Sequence, residues 1–134
     1  MNLKKTLAMV AGLTLLVVAV FFAAELYDHR SISGTAAYRE RIVLPDGCRF
    51  IVILSEEKDG SRVPVASVSR NLEGEQVPLS FELFYREKTI LEGAVYSLFA
   101  RIESGTGELL FVTKDPVPIP KDDEPVEIML ISVR

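Results

Sequence analysis

The sequence predicts an all-β protein: a small antiparallel β-sandwich or partly open barrel of about seven strands, Ig-like or transthyretin-like in shape, preceded by one N-terminal transmembrane or signal helix. Three observations lead there. Apart from one long apolar run near the N-terminus, no segment shows an apolar repeat with the 3.6-residue period of an amphipathic helix. From residue 33 on, short stretches alternate apolar and polar side chains, the pattern of strands with one buried face. Gly- or Pro-containing turn signals separate those stretches at intervals of roughly ten residues.

The first element is the run itself. Lys4 and Lys5 precede Leu7–Ala24, which carries no charge. At about 1.5 Å per residue, such a helix approaches the hydrocarbon thickness of a bilayer. Two readings stand. A cleaved signal peptide needs small residues at positions −3 and −1 of the cut. A cut after Ala24 puts Phe22 at −3, and a cut after Ala23 puts Phe21 there. An uncleaved signal anchor needs no such site and is preferred. The lysines then hold the N-terminus in the cytoplasm, and the rest of the chain is exported. The expected organisation is a signal anchor or signal peptide over residues 1–24, a linker over 25–32, and one β-sandwich domain over 33–134.

The strands follow in order. In "GTAAYRERIVLP", Gly34 to Pro45, the even positions Ala36, Tyr38, Ile42 and Leu44 make an apolar row that also contains Glu40, while Arg39 and Arg41 fall on the other face. Pro45-Asp46-Gly47 is a turn. "CRFIVILS" is apolar on both parities, which predicts a strand covered on both sides or one whose ends differ from its middle. Asp59-Gly60 marks a hairpin. "RVPVASVSRNL" carries Val63, Val65 and Ser67 on one parity, and its Pro64 suggests an edge strand. "EQVPLSFELFYR" alternates with Val77, Leu79, Phe81, Leu83 and Tyr85 on one side. "AVYSLFARIE" places Tyr96, Leu98, Ala100 and Ile102 on one face and Ser97, Arg101 and Glu103 on the other. "SGTG" turns the chain into "ELLFVT". The stretch "KDPVPIPKDDEP" has four prolines and is expected to stay unpaired, leaving a neighbouring strand edge open. "VEIMLISVR" closes the chain as a last strand.

The chain's 134 residues suit one domain with one core. From residue 25 on there are 13 Lys and Arg against 19 Asp and Glu, a net charge of −6. A phosphate backbone needs clustered positive charge, so this balance argues against nucleic acid as a partner. Cys48 is the only cysteine. It makes no intrachain disulfide, and it stands too far beyond the apolar run to be a lipid-attachment residue at a signal cut. It reads as a small buried residue rather than a reactive thiol. His29, the only histidine, falls in the linker and reads as solvated. Asp122-Asp123-Glu124, with Asp115, lacks a recognised Ca²⁺-loop spacing and reads as a solvated loop. Gly105 and Gly107 sit in a hairpin turn, not a phosphate-cradling loop. With no nucleophile elbow, no metal-ligand spacing and no cofactor motif, the chain does not read as an enzyme, and neither cofactor nor metal is expected. Two features remain. Arg39, Arg41 and Arg101, all on outward parities, are candidate partner-binding residues for a carboxylate or phosphate group or for a partner's acidic segment. Glu40 and Tyr38 are expected to form a structural polar anchor, with Glu40 partly buried and hydrogen-bonded.

"GTAAYRERIVLPDGCRFIVILS", "EQVPLSFELFY" and "YSLFARIESGTGELLFVT" together resemble the YbaY/YscW-like family of bacterial envelope proteins, through nearly the whole exported domain. Tyr38 to Pro45 is the most specific part. The resemblance implies a β-sandwich held at a membrane, facing the periplasm, and the family includes pilotins of type III secretion. These are lipoprotein chaperones that bind the C-terminal segment of an outer-membrane secretin. The chain departs from that pattern in having no lipid-attachment Cys after its apolar run, which implies a domain kept at the inner membrane through residues 7–24, or free in the periplasm after cleavage. The expected function is that of a membrane-tethered periplasmic binding module, chaperone- or pilotin-like, with an envelope or secretin-like protein as partner. The alternative is a structural envelope protein with no dedicated client. The expected client would bind by strand addition or in an apolar groove between the sheets.

Overall fold

A computed structural model describes residues 2–133, with the side chains of residues 24–27 outside the description. Met1, Arg134 and the side chains of Glu25, Leu26 and Tyr27 therefore lie outside the described residues. Helix α1 spans Leu3–Tyr27, and the Oδ1 of Asn2 accepts from the Lys4 N–H at its start. Its stretch Leu3–Ala23, 21 residues with mean hydropathy 2.5, is long and apolar enough to cross a membrane. At about 1.5 Å per residue it is roughly 32 Å long, against a hydrocarbon core of about 30 Å. Beyond Lys4 and Lys5, the residues from Leu7 to Ala23 carry no charge on any side of the helix.

Eight strands follow: β1 (His29–Ala37), β2 (Arg49–Lys58), β3 (Ser61–Asn71), β4 (Leu79–Arg86), β5 (Val95–Glu103), β6 (Leu109–Thr113), β7 (Val117–Pro118) and β8 (Val126–Ser132). The sequence expected a linker over 25–32, but α1 runs to Tyr27 and β1 starts at His29. Asp28 is tied down where they meet. Its carbonyl accepts from the Glu87 N–H at 2.9 Å and its carboxylate from the Lys88 N–H at 3.1 Å. Those bonds cap the single 3₁₀ turn Glu87–Thr89 that follows β4.

The inward rows of β4 and β5 match the alternation read from the sequence, and β8 buries one face in the same way. Leu79, Phe81 and Leu83, then Tyr96, Leu98, Ala100 and Ile102, then Val126, Ile128 and Leu130 are all buried. β2 turns Phe50, Val52 and Leu54 inward and is half covered on its other side as well. The turn between β2 and β3 has Asp59 at φ 52 and Gly60 at φ 78, two successive left-handed residues that close a two-residue hairpin. Pro64 stands in β3, which ends the sheet path, so its missing N–H loses little ladder.

Of the two arrangements expected, sandwich and partly open barrel, the layers follow the second. The strands form one eight-stranded sheet in the order β3-β2-β5-β6-β8-β1-β4, with β7 off this path on β5. Two separate sheets would face each other without sharing a ladder. Here β8 joins β6 antiparallel and β1 parallel, so the sheet is continuous and not wholly antiparallel. All inward rows meet in one core. The two ends, β3 and β4, come together without a ladder, giving a nearly closed, barrel-like sheet. Arg70 of β3 donates to the Ser80 carbonyl of β4 at 2.9 Å across this seam, and Phe50 meets Phe81 edge-on beneath it.

The parallel β1–β8 pair depends on one residue. A Cβ on Gly34 would lie 2.0 Å from the Val126 carbonyl oxygen, so only glycine permits this approach. The Pro-rich stretch also departs from expectation. It is not wholly unpaired, since Val117 and Pro118 pair with Leu98 and Ser97.

Candidate functional site

The residues singled out from the sequence do not form one site. β1 ends at Ala37, so strand alternation does not continue to Leu44. At Tyr38 the chain turns its ring inward to stack on Phe111, with centroids 4.1 Å apart and planes within 8°. The Tyr38 hydroxyl donates to the Ile42 carbonyl at 2.6 Å. That bond closes residues 39–41 into an outward bend. Glu40 is therefore exposed, not part of a buried row, and Ile42 is 51% exposed. Leu44 returns to the core, where Gln76 stands in for a partner strand. Its Oε1 accepts from the Leu44 N–H at 2.8 Å, and its Nε2 donates to the Leu44 carbonyl at 3.2 Å.

Arg39 and Arg41 ride on this bend, exposed. Arg101 is on β5, separated from β1 in the sheet by β6 and β8, and its Nε pairs with the Glu103 carboxylate at 3.0 Å. Arg101 thus stands on a different element from Arg39 and Arg41. His29 opens β1 and is exposed, and Asp122, Asp123 and Glu124 are exposed in the loop before β8. Cys48 is fully buried, and burial first, then the nearby Asp46 carboxylate, push its thiol pKa up. That environment suits an inert core thiol.

Two clefts have apolar character. The first, about 390 Å³, lies over the β3–β4 seam. Its aromatics Phe50 and Phe81 are only 2% and 8% exposed, and Arg70 bridges its walls.

The second cleft, about 440 Å³, lies on the outer face of β2, β5 and β6. Its floor follows from strand register. Ile53 stands opposite Phe99, and Ile51 opposite Arg101, which stands opposite Val112, which stands opposite Ile131. Directly opposed residues share a face, so an apolar band crosses four strands outside the core. Ile53, Phe99 and Val112 are half-buried, Leu109 is 37% exposed and Ile131 is 41% exposed.

The cleft opens where β6 leaves β5. After Arg101↔Val112 the next ladder position is taken by a side chain: Thr113 Oγ1 accepts from the Ala100 N–H at 2.6 Å and donates to the Ala100 carbonyl at 3.0 Å. A hydroxyl in place of a backbone contact sets the two strands apart there. Arg62 reaches in from β3 and lays its guanidinium 3.9 Å from the Phe99 ring centroid, a contact typically worth about 0.5–1 kcal/mol at an exposed site. Arg101 and Lys114 complete a rim of three cations, and no carboxylate lines the cleft. Arg62 and Lys114 were missed in the sequence, because only the fold brings residues 62, 101 and 114 to one opening. The legible signal was the apolar outer parity of "CRFIVILS", which called for a cover on that side.

Chemically, the cleft offers an apolar floor beside cationic side chains, and its Thr113 hydroxyl is committed to the Ala100 backbone. The YscW family, described as type III secretion system lipoprotein chaperones, matches the chain over residues 27–130. Among solved structures the chain is similar to an alternative pilotin from the type II secretion system of Vibrio cholerae. The two are 37% identical with a TM-score of 0.72, over 79% of this chain and 98% of that one. No curated protein matches the chain.

Proposed function

The chain belongs to the YscW family of type III secretion system lipoprotein chaperones, and we propose that it is a membrane-tethered, pilotin-like chaperone. In this reading α1 stays attached and holds the β-domain on the periplasmic side of the inner membrane. The domain holds a segment of a secretin or of another envelope-assembly component and performs no covalent chemistry. The observation that carries the reading is the likeness to the V. cholerae pilotin over nearly all of that chain.

Four features of the molecule support it. Lys4 and Lys5 precede the apolar stretch, the charge pattern of a cytoplasmic N-terminus. Cys48 is buried in the core, so α1 takes over the tethering that a lipid performs in a lipoprotein. One residue, Asp28, separates helix and domain, so the tether keeps the domain at the bilayer surface, where a client in transit is met at high local concentration. The half-covered apolar face of β2–β5–β6 favours a client-holding role over a purely structural one. A client segment that has not reached its own assembly partners can bury its apolar side chains there, at about 25 cal/mol per Å² removed from water, less the cost of association.

The test is affinity purification of the full-length protein from cross-linked membranes of its own cells, with intact-mass measurement of the same preparation. Enrichment of a secretin or another envelope-assembly protein, on a chain that retains residues 1–24, is the expected outcome. A mature start near residue 25 removes the tether, and absence of any enriched envelope protein removes the chaperone role.

A further inference from the structure

We propose that the corner between β4 and β5 rests on the bilayer, with Leu91 seated at the boundary between lipid headgroups and acyl chains. This inference rests on the tethering part of the reading above and adds the surface that the domain presents to the membrane.

The chain path brings the corner there. The membrane-crossing stretch ends at Ala23, and α1 continues to Tyr27. Four residues of helix rise about 6 Å, and one headgroup layer is about 5–8 Å thick. Asp28, the next residue, therefore stands no further out than the edge of that layer. Its carbonyl and carboxylate hold the N–H groups of Glu87 and Lys88, and His29 stands opposite Arg86 at the end of β4. The loop to β5 thus leaves the barrel where α1 enters. Leu91, three residues beyond Lys88, lies within about 10 Å of Asp28's partners. β1, nine residues long, carries the chain about 30 Å away to the opposite end, where the bend with Val43 stands.

The corner displays an apolar side chain on a braced frame. Leu91 is 58% exposed and opens a turn in which its carbonyl accepts from the Ala94 N–H at 3.3 Å, with Gly93 at φ 82. The hydroxyl of buried Tyr96 accepts from the Leu91 N–H at 2.8 Å and donates to the Thr89 carbonyl at 3.1 Å. Thr89 Oγ1 donates to the Arg86 carbonyl at 2.6 Å. Docking such a frame orders little that is not already ordered.

Charge selects the kind of lipid contact. The carboxylates at the junction are compensated: Glu87 holds Arg30 through two contacts of 3.3 and 3.4 Å, and Asp28 lies 4.0 Å from Lys88. Across the junction, Asp123 and Glu124 line a cleft with His29 and Arg30. Val95, exposed at the start of β5, shares a cleft with Glu57, Asp59 and Arg62. This end has no basic patch for anionic lipid. The contact is apolar and shallow, since Glu92 beside Leu91 is exposed and keeps to the headgroup water.

The chain has no tryptophan, so a single one reports its own position. Leu91→Trp and, as a far-end control, Val43→Trp are prepared in the full-length protein in phosphatidylcholine nanodiscs. Lipid brominated near the top of the acyl chains should quench the emission at 91 at least about twofold and leave that at 43 within about a tenth, given insertion of about 5–10 Å. Hydrogen exchange of the wild type guards against an effect of the reporter. Corrected for intrinsic rates, residues 93–95 should exchange at least about threefold more slowly than in Leu91→Ser in the same nanodiscs. Unquenched emission at 91, equal quenching at 43, or equal exchange overturns the proposal. So does emission at 91 that shifts to the blue only in native membranes, which assigns the corner to a protein. Intact mass of the native protein separates the two readings. With residues 1–24 retained, failure at 91 removes the docking and leaves the tether. A native start near residue 25 removes the tether and the docking with it.

Discussion

Gly34→Ala should unfold this domain far more readily than a one-methyl change suggests. The added Cβ would stand 2.0 Å from the Val126 carbonyl oxygen, where ordinary contact begins at 3.4 Å, and also 2.8 Å from Val126 Cγ2. The obstacle is backbone, so no rotamer relieves it, and β8 must move away from β1 by more than about 1 Å. That movement acts on the four register pairs from Gly34↔Val126 to Ala37↔Met129. Backbone hydrogen bonds stretched that far are lost, at about 1 kcal/mol net each, and the buried Val126 and Ile128 lose packing. Two or three lost bonds plus packing amount to roughly 3 kcal/mol, against a total of about 5–15 kcal/mol for a domain. In a urea melt of the full chain in detergent, followed by tyrosine fluorescence, a slope of about 1.5 kcal/mol/M turns this into a midpoint shift of about 2 M. Gly12→Ala, where a Cβ meets nothing within 4 Å, is the control and should leave the midpoint unchanged. A shift below about 0.5 M for Gly34→Ala would show that β1 and β8 do not approach as described.

Other substitutions probe other parts of the account. Thr113→Val keeps the shape but removes the hydroxyl that satisfies both backbone groups of Ala100. It should cost about 2 kcal/mol in the same melt, and an unchanged midpoint refutes the side-chain bridge. Tyr38→Phe keeps the stack on Phe111 and loses the bond to the Ile42 carbonyl, for about 1 kcal/mol, whereas Glu40→Gln should fall within about 0.5 kcal/mol. The reverse order would restore a buried carboxylate. Burial raises the pKa of Cys48, and of Tyr38 and Tyr85, above that of the unfolded chain. The stability tied to these groups is complete below their unfolded pKa values and is lost as pH rises through the folded ones. Melts should therefore weaken progressively above about pH 9. A thiol reagent should label Cys48 only as the chain unfolds, and rapid labelling of the folded protein counts against the buried, inert thiol.

How much of this was legible depended on the range of the forces involved. β4, β5 and β8 could be read because each buries one face, and a period of two then writes itself into neighbouring residues. The apolar double parity of β2 announced that its outer side needed a cover. The first strand was misread beyond Ala37 because Tyr38 answers to Phe111, far along the chain. A stacked ring and one hydroxyl bond outweigh the alternation that Ile42 seemed to continue, and Glu40 is carried outward with the bend. The choice of a barrel-like sheet over a sandwich rests on the β1–β8 pairing. Gly34 makes that pairing sterically possible, yet in sequence it looked only like the start of a strand. The cleft escaped for a similar reason. Arg101 could be picked out by its outward parity, but Arg62 and Lys114 join it only through the β2–β3 and β5–β6 ladders, and the gap between β5 and β6 depends on a threonine acting as backbone.

The central claim, that this domain holds a client as a pilotin-like chaperone, is tested most directly by site-specific photo-cross-linking in living cells. A photoreactive amino acid replaces Phe99 in the full-length protein, and in a second strain it replaces Lys88, which stands in the 3₁₀ turn after β4, outside the cleft. The account predicts a discrete adduct from position 99 to a segment of a secretin or another envelope-assembly protein, and little or none from position 88. Absence of an adduct at 99, or equal adducts from both positions, contradicts it.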